Sequence, residues 1–111
     1  MTDQGNKYLS DILQAIALIE SFTSESSDYE AYVSDLKTQS AVERQLGIIG
    51  EAVNKFEKLF PDSPLISAGK IVGLRNRLIH AYDAVDSSII WTIIKRYLDP
   101  LKREIKEKHR I

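Results

Sequence analysis

Apolar residues recur every three or four positions along most of the chain, and this period limits what the chain can fold into. In the first such segment the apolar residues are Tyr8, Leu9, Ile12, Leu13, Ile16 and Ile19. This spacing places them on one side of a helix, whereas a half-buried strand needs an apolar residue at every second position. The chain is therefore predicted to be all-α.

Cap residues and prolines between the apolar segments predict where the helices begin and end. The predicted helices are Lys7–Phe22, Tyr29–Leu36, Thr38–Phe60, a helix from Ser63-Pro64 to His80 or Tyr82 with an irregular beginning around Gly69, and Ser87–Lys108. The connections between them are short, which favours an up-and-down bundle of four to five helices around one core.

Three residues inside these helices predict local features. Gly47 and Gly50 each cost a helix about 1 kcal/mol relative to alanine, so we expect a close contact with another helix there. Pro100 lacks a backbone N–H and clashes with the preceding turn, so we expect a kink in the last helix.

Length and composition fit a soluble globular protein with one domain, residues 1–111. Hydrophobic residues make up 43% of the 111, enough for one core. There is no cysteine, hence no thiolate metal site. The first ten residues, MTDQGNKYLS, are polar, and no apolar stretch approaches the roughly 20 residues that span a bilayer. We predict a cytoplasmic protein that needs no membrane, metal or cofactor.

Charge is distributed unevenly between the two parts of the chain. Residues 1–69 contain five Lys or Arg and eleven Asp or Glu, a net charge of −6, whereas residues 70–111 contain ten and five, a net charge of +5. A basic surface on the second part could bind phosphates. A solvated helix face is the alternative that charge alone favours.

The chemically richest segment is GLRNRLIHAYD, residues 73–83. Arg75 and Arg77 can hold phosphate oxygens, and His80 can exchange a proton near neutral pH. RNA cleavage without metal needs these parts: a base for the ribose 2′-hydroxyl, an acid for the leaving 5′-oxygen, and a cation for the charged transition state. Without further information, a capping or packing role for His80 remains the commoner alternative.

The spacing of the motif adds a constraint on assembly. Arg75 and His80 are five residues apart, or about 140° around a helix, so a single chain would aim both at one phosphate poorly. A two-fold dimer that apposes two copies of this helix could combine the two groups in one cleft. We also expect His80 near a helix C-terminus, where the helix dipole favours the charged imidazolium.

The segment Arg75-Asn76-Arg77-Leu78-Ile79-His80-Ala81-Tyr82 resembles the R-x-x-x-x-H-x-Y signature of HepT-like proteins, within the larger HEPN class. The resemblance extends to YLSDILQAIALIESF, to AVERQLGIIGEAVNKF and to VDSSIIWTII with the later LDPL, in the family's order. One departure is that Leu65 and Ile66 occupy the region where such proteins often carry a tryptophan.

The resemblance implies an endoribonuclease toxin of a type VII-like toxin–antitoxin pair, with Arg75 and His80 catalytic. It also implies a partner, a small MntA-like nucleotidyltransferase antitoxin that transfers AMP from ATP to Tyr82. Without the resemblance, Tyr82 would be interpreted as a buried aromatic residue whose hydroxyl forms a hydrogen bond. Asn76 and Arg77 would support phosphate binding.

Glu51 fits the family pattern and could bond Arg75 or Arg77, although an exposed carboxylate is an equal alternative. His109 is expected to be solvated. Two other functions remain open: a non-catalytic partner or substrate-binding subunit of a nucleotidyltransferase, and a purely structural helical dimer.

Overall fold

The computed structural model describes the backbone of residues 2–80 and 86–109, and the side chains of residues 2–74 and 86–108. In this part of the chain the structure is helical, with six α-helices, a single 3-10 turn over Ile66–Ala68, and no strand. The helices are α1 (Asp3–Phe22), α2 (Tyr29–Val33), α3 (Leu36–Leu59), α4 (Gly69–His80), α5 (Ser87–Arg96) and α6 (Leu98–His109). The all-α prediction is confirmed, and the described helices number six rather than four or five.

The predicted apolar stripes form the core. α1 and α3 pack along each other, and α4, α5 and α6 close the remaining sides. Residues from α1, α3, α4 and α6 are fully buried, among them Leu9, Ile12, Ile16, Ile19, Val42, Leu46, Ile49, Phe56, Ile71, Leu101 and Ile105. Burial of a large aliphatic or aromatic side chain contributes about 1.5–3 kcal/mol, so this cluster fixes how the helices pack.

Side-chain caps explain why two helices begin earlier than predicted. The Thr2 hydroxyl accepts a hydrogen bond from the Gly5 N–H at 3.1 Å, so α1 begins at Asp3 rather than Lys7. The Asp35 carboxylate accepts one from the Thr38 N–H at 3.0 Å, and α3 begins at Leu36. Both caps satisfy N–H groups that the first turn of a helix leaves free.

The predicted helix start at Ser63-Pro64 is wrong, but the irregular beginning expected around Gly69 is confirmed. The next helical residues are those of the 3-10 turn, which leads directly into α4. The backbone N–H of Leu65 donates to Glu57, and the next two N–H groups along the chain donate to Glu104, all at 2.8 Å. Carboxylates from α3 and α6 therefore supply the cap that the local sequence was expected to provide.

Pro100 divides the predicted last helix into two. α5 ends at Arg96, Tyr97 is a turn residue, and α6 begins at Leu98. A continuous helix would need a Pro100 N–H to bond the Arg96 carbonyl, and the proline ring would clash with that carbonyl. In the first turn of α6, the missing N–H costs little.

The close helix contact expected at Gly47 is also absent. A Cβ atom added to Gly47 would meet no atom within 4 Å in the described structure. Gly50, about one turn further along α3, is buried.

In the described part of the chain, no helix has both the length and the hydropathy of a membrane span.

Candidate functional site

The helix α4 carries most of the residues that the sequence singled out. Its backbone is helical from Gly69 to His80, so Arg75, Asn76, Arg77 and His80 all lie on its C-terminal half. The side chains of residues 75–80, and Tyr82 as a whole, lie outside the described residues. Along a regular helix the Cα positions of Arg75 and His80 are about 140° apart around the axis and about 7.5 Å apart along it.

The beginning of α4 is fixed from three directions. Glu57 and Glu104 bind the N–H groups just before it. Ile71 and Leu74 are 0% and 3% exposed and pack into the core, where α4 contacts α3. These contacts set the rotation of α4 about its axis.

The chain re-enters the described structure at Asp86, and its position there is also fixed. The Asp86 carboxylate accepts a hydrogen bond from the Ser88 N–H at 2.8 Å and caps α5. The Ser87 hydroxyl donates to the side-chain oxygen of Gln39, 3.0 Å away. The Gln39 amide nitrogen in turn donates to the carbonyls of Tyr32 and Val33 at 3.3 and 3.0 Å.

Gln39 and Ser87 were not predicted from the sequence, although a signal for the first was present. Gln39 precedes Val42, Leu46 and Ile49 at helical spacing, so it is a polar residue at one end of an apolar stripe. It is 9% exposed. A buried amide needs hydrogen-bond partners, and here those partners join α2, α3 and the first residue of α5.

An aromatic cluster holds α5 against α2. The rings of Tyr32 and Trp91 are 5.3 Å apart between centroids, those of Tyr29 and Trp91 are 6.4 Å apart, and the Lys95 ammonium lies 4.4 Å above the Trp91 ring. The Tyr32 hydroxyl is buried without a hydrogen-bond partner among the described residues. Burial, with a smaller effect of the nearby Glu43 carboxylate, raises the pKa of Tyr32 far above its usual range.

Glu51 lies on the exposed side of α3, where it forms an ion pair with Lys55 at 3.2 Å. The Glu51 side chain is 57% exposed, so this i,i+4 pair contributes little to stability. A bond from Glu51 to Arg75 or Arg77 remains a prediction. Among the side chains that the structure describes, no group of three His, Cys, Asp or Glu could hold a metal ion.

A groove lies between α4 and α5 and encloses about 400 Å³. Its lining consists of Gly69, Lys70, Gly73, Leu74, Ser88, Ile89, Thr92, Ile93 and Tyr97. Leu74 and Ile93 are buried at its base, whereas the glycines, Lys70 and Thr92 are exposed at its rim. We call this the α4–α5 groove.

Family comparison places this helical chain in a defined class. The model of the HepT-like ribonuclease family matches residues 12–107, and the chain belongs to that family. This confirms the resemblance drawn from the motif and the helices around it.

Several curated relatives cover nearly the whole chain. The "Probable ribonuclease HepT" of Thermococcus cleftensis is 41% identical over 104 residues, covering 90% of this chain and 91% of its own. A "Putative RNase" of Methanocaldococcus jannaschii is 36% identical, with 89% and 91% covered. Another, of Caldanaerobacter subterraneus subsp. tengcongensis, is 37% identical, with 90% and 89% covered. No solved structure matches the chain significantly.

Proposed function

We propose that this protein is a metal-independent endoribonuclease, active as a homodimer in the cytoplasm, and the toxin of a toxin–antitoxin pair. Its membership of the HepT-like ribonuclease family and the names of its relatives support RNA as the substrate. One HepT-like domain over residues 1–111 would carry the whole activity.

The observation that carries this proposal is the continuous helical backbone of α4 from Gly69 to His80. On that backbone Arg75 and His80 are about 140° apart, so neither chain alone presents both groups to one phosphate well. Two copies of α4 facing each other across a two-fold axis would bring the Arg75 guanidinium and the His80 imidazole to one phosphodiester.

The reaction at such a site would be an internal displacement at phosphorus. The 2′-oxygen attacks the phosphorus atom as it loses its proton to a base, and the bond to the 5′-oxygen breaks as that oxygen takes a proton from an acid, which leaves a 2′,3′-cyclic phosphate. His80 exchanges one of these two protons, because an imidazole can accept or donate a proton near neutral pH. Arg75 stabilises the negative charge that develops on the phosphate oxygens, while Asn76, Arg77 and Glu51 position the substrate and the guanidinium.

The antitoxin would be a nucleotidyltransferase similar to MntA that modifies Tyr82. The Tyr82 oxygen attacks the α-phosphorus of ATP, a tyrosine O–P bond forms, pyrophosphate leaves, and the phenol proton passes to a base. The attached AMP places a phosphate close in sequence to His80, where it would occupy the site of the RNA phosphate. Tyr82 modification would thus block the nuclease.

Cleavage of single-stranded RNA by the purified protein in the presence of EDTA tests the nuclease proposal. His80→Ala should lower the rate by about 10²- to 10⁴-fold, and Arg75→Ala by about 10²- to 10³-fold. Lys106→Ala, an exposed residue of α6, is the control and should cleave like the wild type. Equal cleavage by the wild type and His80→Ala would contradict the assignment of the nuclease activity to this motif.

Co-expression with a nucleotidyltransferase encoded beside the gene tests the modification. Intact-mass measurement should find whole AMP additions on the wild type and none on Tyr82→Phe, and the modified protein should not cleave RNA. A protein that binds the nucleotidyltransferase but neither cleaves RNA nor accepts AMP would instead be a non-catalytic partner subunit.

A further inference from the structure

We infer that the α4–α5 groove is a nucleotide subsite that holds a base of single-stranded RNA next to the cleaved phosphate. This inference rests on the proposed ribonuclease function and names a substrate contact outside the catalytic motif. Four observations carry it. They are the space in the groove, its aromatic wall, two cations that form no ion pair with a described residue, and the alignment of the groove with the catalytic motif along α4.

The groove is open because two of the α4 residues that line it, Gly69 and Gly73, have no side chains. Gly69 and Gly73 are one turn apart and both line the groove, and a Cβ atom at either would meet no atom within 4 Å. The enclosed volume of about 400 Å³ lies within the roughly 300–1,000 Å³ usual for small-ligand pockets.

Tyr97 provides an aromatic surface at one end of this space. It is the turn residue between α5 and α6, where Pro100 interrupts the helix, and its side chain is half-buried. Stacking on an aromatic side chain is how proteins bind bases of single-stranded RNA without reading their sequence. The Thr92 hydroxyl, which also lines the groove, donates to the Ser88 carbonyl at 2.9 Å, so its oxygen is left to accept a hydrogen bond from a base edge or a ribose.

The groove is bordered by positive charge that no carboxylate of the described residues pairs with. Lys70 lines both the groove and the adjoining hollow of about 630 Å³, which Tyr97 and Arg96 also line. Neither Lys70 nor Arg96 forms an ion pair with a described residue, whereas Lys102 and Arg103 of α6 do. Lys70 and Arg96 could therefore bind the phosphates that flank a base, while the apolar walls of the cavity hold the base itself.

The register of α4 connects the groove with the catalytic motif. Seven residues make almost two helical turns, so the Cα positions of Arg77 and His80 lie on the same side of the helix as those of Lys70 and Gly73. The Gly73 and His80 positions are about 10 Å apart along the axis. A strand whose cleaved phosphate lies at His80 would therefore place a neighbouring nucleotide at the groove.

Binding of a 2′-O-methyl RNA oligonucleotide tests the inference, because this probe lacks the attacking hydroxyl and is not cleaved. Fluorescence anisotropy should give about tenfold weaker binding for Tyr97→Ala and a similar loss for Gly73→Leu, which fills the groove. Lys70→Ala should weaken binding and reduce its salt dependence. Gly47→Ala and Lys106→Ala, away from the groove, are the controls and should bind like the wild type.

A variant that keeps the fold distinguishes weaker binding caused by filling of the groove from weaker binding caused by unfolding. Gly73→Ala removes a helical glycine where a Cβ meets nothing, so it should melt higher than the wild type and still bind the oligonucleotide more weakly. Gly47→Ala should melt higher as well, with unchanged binding. This pair separates filling of the groove from stabilisation of a helix.

Two outcomes would overturn the subsite. One is unchanged oligonucleotide binding by Tyr97→Ala and Gly73→Leu in a protein that cleaves RNA, which leaves the proposed function intact. The other is loss of the dimer in Gly73→Leu by light scattering, which would assign the groove to a second copy of the chain. If the wild-type protein does not cleave RNA but the groove variants still bind the oligonucleotide more weakly, the proposed nuclease function is refuted and the nucleotide-binding role of the groove is supported.

Discussion

At the scale of single residues, Gln39 joins three segments that are distant in sequence. Its amide binds two carbonyls at the end of α2 and the hydroxyl of Ser87, 48 residues away. This network fixes the beginning of α5, directly after the motif segment. The position of α5 against α2 and α3 therefore depends on one buried polar side chain as well as on apolar packing.

Gln39→Leu should lower the free energy of unfolding by about 1–3 kcal/mol, since it leaves buried partners without a hydrogen bond. Gln45→Leu is a matched control, because Gln45 is also 9% exposed and forms no side-chain hydrogen bond with a described residue. Urea denaturation of both variants measures the difference. Equal effects of the two substitutions would contradict the role assigned to the Gln39 network.

Glu104 is the second residue with a contact over a long sequence distance. Glu104→Ala should destabilise the protein by about 1–2 kcal/mol, because it removes the acceptor for two backbone N–H groups before α4. Glu107→Ala, one turn further along α6 and exposed, should change stability little. Hydrogen exchange should be faster at Ile66 and Ser67 in the first variant only; unchanged exchange there would contradict the cap.

Long-range capping explains why the sequence misplaced the beginning of this helix. Ser63-Pro64 is a typical local start signal, but the carboxylates that bind the N–H groups come from Glu57 and Glu104 on two other helices. No local pattern contains that information. The motif residues, in contrast, were singled out from one short segment together with the family resemblance of the helices around it, and their roles stay a prediction.

At the scale of helices, local signals predicted most of the architecture. The period of apolar residues gave α1 and α3 to within a few residues, and α2 begins at Tyr29 as predicted. The sequence analysis predicted one last helix with a kink at Pro100. The structure instead has two helices, α5 and α6, separated by Tyr97. Whether a proline bends or breaks a helix depends on the packing on either side.

The caps of α3 and α5 predict a dependence of stability on pH. Hydrogen bonds from Ser88 lower the pKa of Asp86, and those from Thr38 lower the pKa of Asp35. A lowered pKa in the folded state stabilises the ionised form. The contribution is therefore complete above the ordinary aspartate value of about 3.9 and is lost as the pH falls through the lowered value.

Thermal melting from neutral pH down to below pH ~3.9 tests this dependence for α5. Asp86→Asn keeps an acceptor but no charge, so it should melt below the wild type at neutral pH, and the difference should shrink as the acid protonates Asp86. Asp35→Asn should behave likewise for α3. A difference that stays constant across the whole range would show that the Asp86 charge contributes nothing.

At the scale of the whole molecule, the proposed active site is shared between two chains. Arg75→Ala and His80→Ala should each be nearly inactive alone, whereas a heterodimer of the two, isolated with two different tags, should recover about half of the wild-type rate. Heterodimers would contain one site with an intact Arg75 from one chain and an intact His80 from the other. No restoration in a heterodimer isolated with two different tags would mean that both groups must come from the same chain.

Of the two carboxylates that hold the beginning of α4, the one from Glu104 affects the order in which the contacts of this helix form during synthesis. Ribosomes release the N-terminal part of a chain first, and Glu104 follows Ile66 by 38 residues. While the nascent polypeptide is still attached to the ribosome, the helix that carries Arg75 and His80 lacks one of its anchors. The helix that carries Arg75 and His80 therefore gains this anchor only after the ribosome has released the segment that contains α6.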